Sequence, residues 1–301
     1  MASTRFVAWG ELLWDLFPDQ IRLGGAAANA AYHAACLGAQ ATLVSRIGND
    51  ELGARAKNEL GRLGVDTRWV QLDARAPTGT VDITLIEGEP HYEIAADVAW
   101  DRLAWTDALK KPFGRANVVS FGTLAQRGAR GFEALQRALS CVQSDTIRFC
   151  DLNLREPFVT RSLVDQAISL ASVVKLNEAE VLRLGQLFGQ SDVVSWLMAV
   201  RGVKLVAVTR GSHGAMLATP RERFEHSGEP LSASGGDAVG AGDAFGAALS
   251  VSLAQGVPLA DCLAKANRYA AHVASNTGGM PAPPAWCALD APHPSLLAEG
   301  S

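Results

Sequence analysis

The sequence predicts an α/β chain, a doubly wound and mostly parallel sheet with helices on both faces. Two observations carry that expectation. Short apolar runs alternate with Ala- and Leu-rich helical stretches from residue 6 to residue 209, and polar, glycine-bearing segments recur just after those runs. A third observation, a glycine turn that delivers an aspartate into a helix start at 240–243, places the chemistry near the far end of the chain.

The elements follow in order. Residues 6–9 are a short apolar run ending at Gly10, residues 41–47 are another, and the Ala-rich stretch 26–37 lies between them, giving strand, helix, strand. Strands are expected at 118–121, 147–150, 172–176 and 205–209, with helices over 131–142, 162–170, 178–187 and 193–201. One stretch breaks the alternation. Residues 78–86 alternate polar and apolar side chains, 87–89 read as a turn and 91–95 are extended again, which makes a hairpin. Such an insertion is a candidate lid over an active site, the plainer reading being an edge hairpin. Residues 216–224, interrupted by Pro220, predict further antiparallel strands. Residues 256–276 predict two helical segments, or one broken near Pro258.

Composition bounds the function. The 301 residues carry a net charge of -4 and hold no basic run with interleaved aromatics, which argues against a nucleic-acid partner and favours small-molecule chemistry. Arg5, Glu11 and Asp15 interrupt the first apolar stretch, and no apolar run reaches 18 residues, so neither a signal core nor a membrane span is expected and a cytoplasmic location is. Cys36, Cys141, Cys150, Cys262 and Cys287 are odd in number and without a C-x-x-C pair, which disfavours a disulfide framework or a zinc site. They are read as small core residues, with Cys287 the one expected at the surface.

The decisive segment runs from Asp237 through Gly240-Ala241-Gly242-Asp243 to Gly246, followed by a stretch free of proline until Pro258. A helix starting near Gly242 would present unpaired amides and partial positive charge, an anion site, and the glycines would let phosphate oxygens reach the backbone. A carboxylate there repels phosphate unless it takes a proton from an attacking hydroxyl, the role open to Asp243. Two plainer readings compete. Asp243 could merely complement the helix dipole, or Gly240, Gly242 and Gly246 could form a dinucleotide fingerprint. The fingerprint needs a strand before it, and residues 231–236 are a Ser/Gly loop. Ligands of open α/β sheets lie beyond the carboxyl ends of strands, and those positions hold Glu11 and Asp15, the Asp151-Leu152-Asn153-Leu154-Arg155 segment, Asn177 with Glu180, and the turn from Thr209 through Gly211 to Gly214. Asn177 and Glu180 also fit a helix capping box.

With these residues in view, the chain resembles the ribokinase-like carbohydrate kinases of the PfkB family, and within them the bacterial fructokinases. The resemblance rests on residues 9–15, Gly24-Gly25-x-x-x-Asn29, the Arg46-Ile47-Gly48-Asn49-Asp50 segment and Asp237-x-x-Gly240-Ala241-Gly242-Asp243. It implies one ribokinase-like domain, 1–301, with a small β lid drawn from about 11–20 and 78–97. It implies further that Asp243 is the catalytic base and that the amides of Gly240, Ala241 and Gly242 form the anion hole. Asp15, Gly24, Gly25, Asn29 and Arg155 would hold the sugar, a salt bridge being the structural alternative for Arg155. Asn177, Thr209, Gly211, Gly214, Gly240 and Gly242 would meet the nucleotide, and Glu180 would organise Mg2+ through water. The loop opening at Asp237 would offer a monovalent-cation site, with K+ its occupant and backbone carbonyls as ligands. ATP and Mg2+ are the implied co-substrates, and a homodimer through the lid is implied as well. The family commonly has Thr or Ser where this chain has Ala238. The G-x-x-x-x-G-K-[ST] element is absent, so nucleotide binding should not be P-loop-like. Phosphorylation of fructose is the first expectation, supported by the Ala99-Trp100-Asp101 segment. The alternatives are 2-keto-3-deoxygluconate, ribose or a nucleoside, or a non-catalytic sugar-binding regulator.

Overall fold

The computed structural model describes residues 3–86, 89–231 and 236–287. Its chain order is β1 (Arg5–Trp9), β2 (Leu13–Leu16), β3 (Ile21–Gly24), α1 (Ala26–Cys36), β4 (Gln40–Gly48), α2 (Glu51–Arg62), β5 (Val70–Asp73), β6 (Gly79–Ile86) and β7 (Glu89–Ile94). There follow α3 (Lys110–Phe113), β8 (Val118–Gly122), α4 (Ala129–Leu139), β9 (Ile147–Asp151), α5 (Arg161–Leu170), β10 (Val173–Asn177), α6 (Glu178–Phe188) and α7 (Val193–Ala199). The chain then runs through β11 (Leu205–Thr209), β12 (Ala215–Ala218), β13 (Arg223–His226), α8 (Ala241–Ala254) and α9 (Leu259–Ala274).

A nine-stranded sheet has the order β13-β12-β11-β10-β9-β8-β1-β4-β5. It is parallel from β11 to β5, and β12 and β13 close one edge as an antiparallel hairpin. Alternation along each strand feeds two cores. On β1, Phe6 and Ala8 pack with α1, α8 and α9, whereas Val7 and Trp9 pack with the layer that holds Leu135 of α4, Ile168 of α5, Leu184 of α6 and Leu197 of α7. All seven parallel strands therefore point their carboxyl ends at one edge, where Asp151, Asn177 and Thr209 close β9, β10 and β11.

A second sheet, order β3-β2-β6-β7, stands on that edge. Its β2 and β6 run parallel and pair Asp15 with Val81, and β6 and β7 form the hairpin expected over 78–95. The turn expected at 87–89 falls largely outside the described residues, as do residues 232–235 of the Ser/Gly loop. The sheet is larger than the expected 11–20 and 78–97, because residues 21–24 add β3 antiparallel to β2. Its pattern escaped notice because a four-residue strand with Gly24 at its end leaves no clear alternation.

Two further expectations need correction. The stretch 256–276 holds one helix, Leu259–Ala274, since Pro258 is the N-cap of α9 and not a break within it, a place where its missing amide costs nothing. Cys287 is buried, 4% exposed, because the segment after α9 folds back and seats it in the α1, α8 and α9 core. Among the described residues no helix is long and apolar enough to cross a membrane.

Candidate active site

Helix α8 supplies the centre of the site. Its N-cap Gly240 has φ 75, a left-handed conformation that favours glycine, and a Cβ there would meet the backbone of Gly279 at 2.6 Å. The Gly242 and Asp243 amides fall in the first turn, where helix geometry leaves no partner. The Ala241 amide, expected in the anion hole, donates instead to Ala238 O at 3.3 Å. Ala238 itself carries a positive φ of 55 without being glycine, so the loop ahead of the helix is held against its local preference.

Asp243 is partly buried at the third helical position, and its Oδ2 accepts from Asn29 Nδ2 at 2.8 Å. Burial and the nearby Asp151 carboxylate push its carboxyl up to about 7, against the pull of Asn29, Lys175 and Arg155. A carboxylate in that range is matched to accepting a proton at neutral pH. Asn29 rides on α1, and its own Oδ1 is buried with no hydrogen-bond partner, which leaves an acceptor free inside the cleft. Gly279 fits between Asn29 and the head of α8, where a side chain would come within 2.9 Å of Asn29.

Residues of the second sheet form the facing wall of a cleft of about 510 Å³. Leu13, Asp15, Val81, Tyr92 and Ile94 line it from that side, and Asn29, Arg155, Asp243 and Gly25 from the other. Burial raises Asp15 to about 6, with Arg22 and Arg155 opposing the shift. Gly24 and Gly25 serve this geometry by close approach. A Cβ on Gly24 would strike the Asp15 carboxylate, and one on Gly25, at φ 104, would meet Glu11 O at 2.5 Å. Arg155 lines the cleft and makes only a 3.4 Å bond to Leu154 O, so the salt bridge considered for it is not formed among the described residues.

Other expected residues are engaged structurally. Asn177 and Glu180 form the capping box of α6, with Glu180 Oε2 accepting from Asn177 N at 2.8 Å and Oε1 from Leu154 N at 2.7 Å. Both still line the cleft. Burial and the Asp151 charge raise Glu180 above its ordinary value, against the pull of Lys175 and of the Asn177 and Leu154 amides. Thr209 lines the cleft, while Gly211 and Gly214 lie in the turn beyond it. Gly214 is there for backbone packing, since a Cβ would collide with His226 O. Asp237 pairs with Arg22 at 2.8 Å and accepts from Gly278 N at 3.0 Å, so its carboxylate pins the loop to β3 and to the turn after α9. The Ala99-Trp100-Asp101 segment is also structural. Trp100 is buried in a small core cluster, and Asp101 pairs with Arg127 at 2.5 Å.

The residue the sequence reading missed is Lys175. Its Nζ holds Asp151 Oδ2 at 2.7 Å, nearly buried, 3.1 Å from where a Cβ on Gly242 would sit. Burial works against its charge, yet Asp151, Glu180 and Asp243 hold it above its ordinary value. Asp151 Oδ1 is buried with no partner. The available signal was a lysine inside the apolar run 172–176, since a charge in a strand covered on both faces needs a partner.

Comparison with known proteins gives a consistent result. The family model described as "pfkB family carbohydrate kinase" matches residues 18–286. A fructokinase of Klebsiella pneumoniae is 31% identical over 297 residues, spanning 91% of this chain and 94% of that protein. A sugar kinase of Pyrococcus horikoshii solved with ATP superposes with a TM-score of 0.78 at 28% identity, over 92% of this chain and 95% of that one. A Vibrio cholerae fructokinase solved with fructose, ADP and calcium superposes with a TM-score of 0.76 at 25% identity, over 92% and 94% of the two chains.

Proposed function

The chain belongs to the pfkB family of carbohydrate kinases, and from that premise we propose that it transfers the γ-phosphoryl group of ATP to the primary 6-hydroxyl of fructose. The observation that carries the proposal is Asp243, raised to about 7 at the head of α8 and oriented by Asn29.

In this reading the sugar lies between Asp15, Gly25, Asn29 and Arg155, with Asp15 and the free Asn29 Oδ1 accepting from its hydroxyls. Asp243 takes the proton of the attacking hydroxyl, whose oxygen bonds to phosphorus as the bond from phosphorus to the β–γ bridging oxygen breaks. The Gly242 and Asp243 amides and the Lys175 ammonium face the charge that develops on the transferring group. Asn177, Thr209 and the Gly240–Gly242 turn flank the phosphates, and Glu180 and Asp151 Oδ1 suit a water-bridged Mg2+. When bound, Mg2+ neutralises phosphate charge. The four-stranded sheet is proposed as a lid that excludes water, and as the surface of a homodimer. A K+ ion is proposed in the loop after Asp237, held by backbone carbonyls because the Asp237 side chain is occupied by Arg22.

The test is ADP release with MgATP against fructose, ribose, 2-keto-3-deoxygluconate, glucose and adenosine, with Asp243→Asn as control. Fructose-dependent release lost in the variant is expected. A faster rate with another sugar overturns the choice of fructose, and silence across all five favours a binding protein.

A further inference from the structure

A second cavity, of about 500 Å³, shares no lining residue with the cleft. It is bounded by the ends of β4 and β5, the segment 102–105 that follows the second sheet, and the exposed face of α4. Five arginines line it, Arg46, Arg75, Arg102, Arg130 and Arg137, against two carboxylates, Asp73 and Glu133. An excess of three positive charges is thus gathered in a chain whose net charge is -4.

Of the five guanidinium charges only that of Arg46 is spent on a carboxylate of the cavity. Asp73, 4% exposed, is consumed by Arg46 Nε at 2.8 Å and by the amides of Arg75 and Ala76. Arg46 also donates to Arg102 O at 3.0 Å, and Gln71 donates to Ala104 O at 2.6 Å, so the floor of the cavity is fixed. Among the described residues, Arg75, Arg102, Arg130 and Arg137 have no carboxylate within ion-pair distance. Arg130 and Arg137 flank Glu133 at three and four positions on α4, so they share one face with it. Four guanidinium groups without an ion-pair partner surround this concave space; three are exposed and their repulsion is screened, and an anion seated among them would be attracted by all four. Guanidinium offers two parallel donors that match phosphate oxygens, and a cavity of this size suits a small ester, not a polymer. Trp105 supplies an aromatic wall.

We infer that this cavity is a binding site for a small phosphate ester, its phosphate held by Arg102, Arg130 and Arg137 and the remainder against Trp105. The site is separate from the kinase cleft, and the inference does not depend on which sugar the enzyme phosphorylates.

Calorimetric titration of the full chain at low ionic strength with inorganic phosphate and with glucose 6-phosphate tests it. Wild type, Arg130→Ala/Arg137→Ala, Arg102→Ala and the cleft variant Asp15→Ala would be compared. Saturable binding is expected for at least one probe, weakened about tenfold or more in both pocket variants, unchanged in Asp15→Ala, and falling as salt rises. Tighter binding of glucose 6-phosphate than of phosphate would show the remainder in contact, and equal binding would make the phosphate the whole determinant; both support the site. No saturable binding to the wild type overturns it, as does binding that survives in pocket variants whose melting matches the wild type.

Discussion

At the scale of the residue, the base role proposed for Asp243 requires its carboxyl to be free of a proton. Its elevation to about 7 by burial and by Asp151 means that, in the proposed role, an appreciable share of the free enzyme carries the protonated carboxyl near neutral pH. We therefore expect kcat/KM to rise with pH through an acid limb near 7, and Asp243→Asn to lower kcat by about 10²- to 10⁴-fold with sugar binding retained. A flat pH profile, or normal turnover by the variant, removes Asp243 as the base. The role proposed for Asp15 is of the opposite kind. Asp15→Ala should raise the KM for sugar far more than that for ATP, and equal increases would place Asp15 outside the sugar site.

At the scale of the element, the head of α8 depends on glycines whose neighbours come from elsewhere in the chain. Gly240→Ala forces a side chain into a left-handed residue and into Gly279 at 2.6 Å, so the turn must shift, and a shift of about 1 Å at a reacting group costs about 10²-fold in kcat. Steady-state kinetics on a folded Gly240→Ala variant checks this, and wild-type kcat would refute it. This element was legible in the sequence because glycine, aspartate and an Ala-rich run lie side by side from 240 to 254. The parallel sheet was legible for the same local reason. What was not legible is pairing across distance. Asn29 meets Asp243 across 214 positions, and Lys175 meets Asp151 across a strand pair, contacts that no spacing reveals. Likewise the buried place of Cys287 depends on a return of the chain after α9, and the capping role of Pro258 looks the same in sequence as a helix break.

At the scale of the whole molecule, two groups on the same helical layer, one buried and one partly buried, oppose each other in pH. His33 of α1 is fully buried, with Nε2 donating to Gly279 O at 2.9 Å and Nδ1 accepting from the Tyr269 hydroxyl at 3.1 Å, so it joins α1 to α9 and to the glycine turn behind Asp243. Burial lowers it to about 4 from 6.5. The unfolded chain thus binds the extra proton between those values, and the stability His33 contributes is complete above about pH 6.5 and lost as pH falls towards 4. Asp243 runs the other way. Its folded value of about 7 lies above its unfolded 3.8, so folding is favoured at low pH and the contribution is lost as pH rises towards 7. Between pH 7.5 and 5 each change amounts to about 2 kcal/mol, with opposite signs, so these two terms largely cancel in the wild type. Removing one should uncover the other. Denaturant unfolding of Asp243→Asn is expected to lose about 2 kcal/mol more than the wild type on going from pH 7.5 to pH 5, since Asp15, Glu11 and Glu180, also raised, act alike in both proteins. If the variant and the wild type share one pH dependence, the Asp243 carboxyl is not raised in the folded chain, and its proposed match to a neutral-pH proton transfer falls with it.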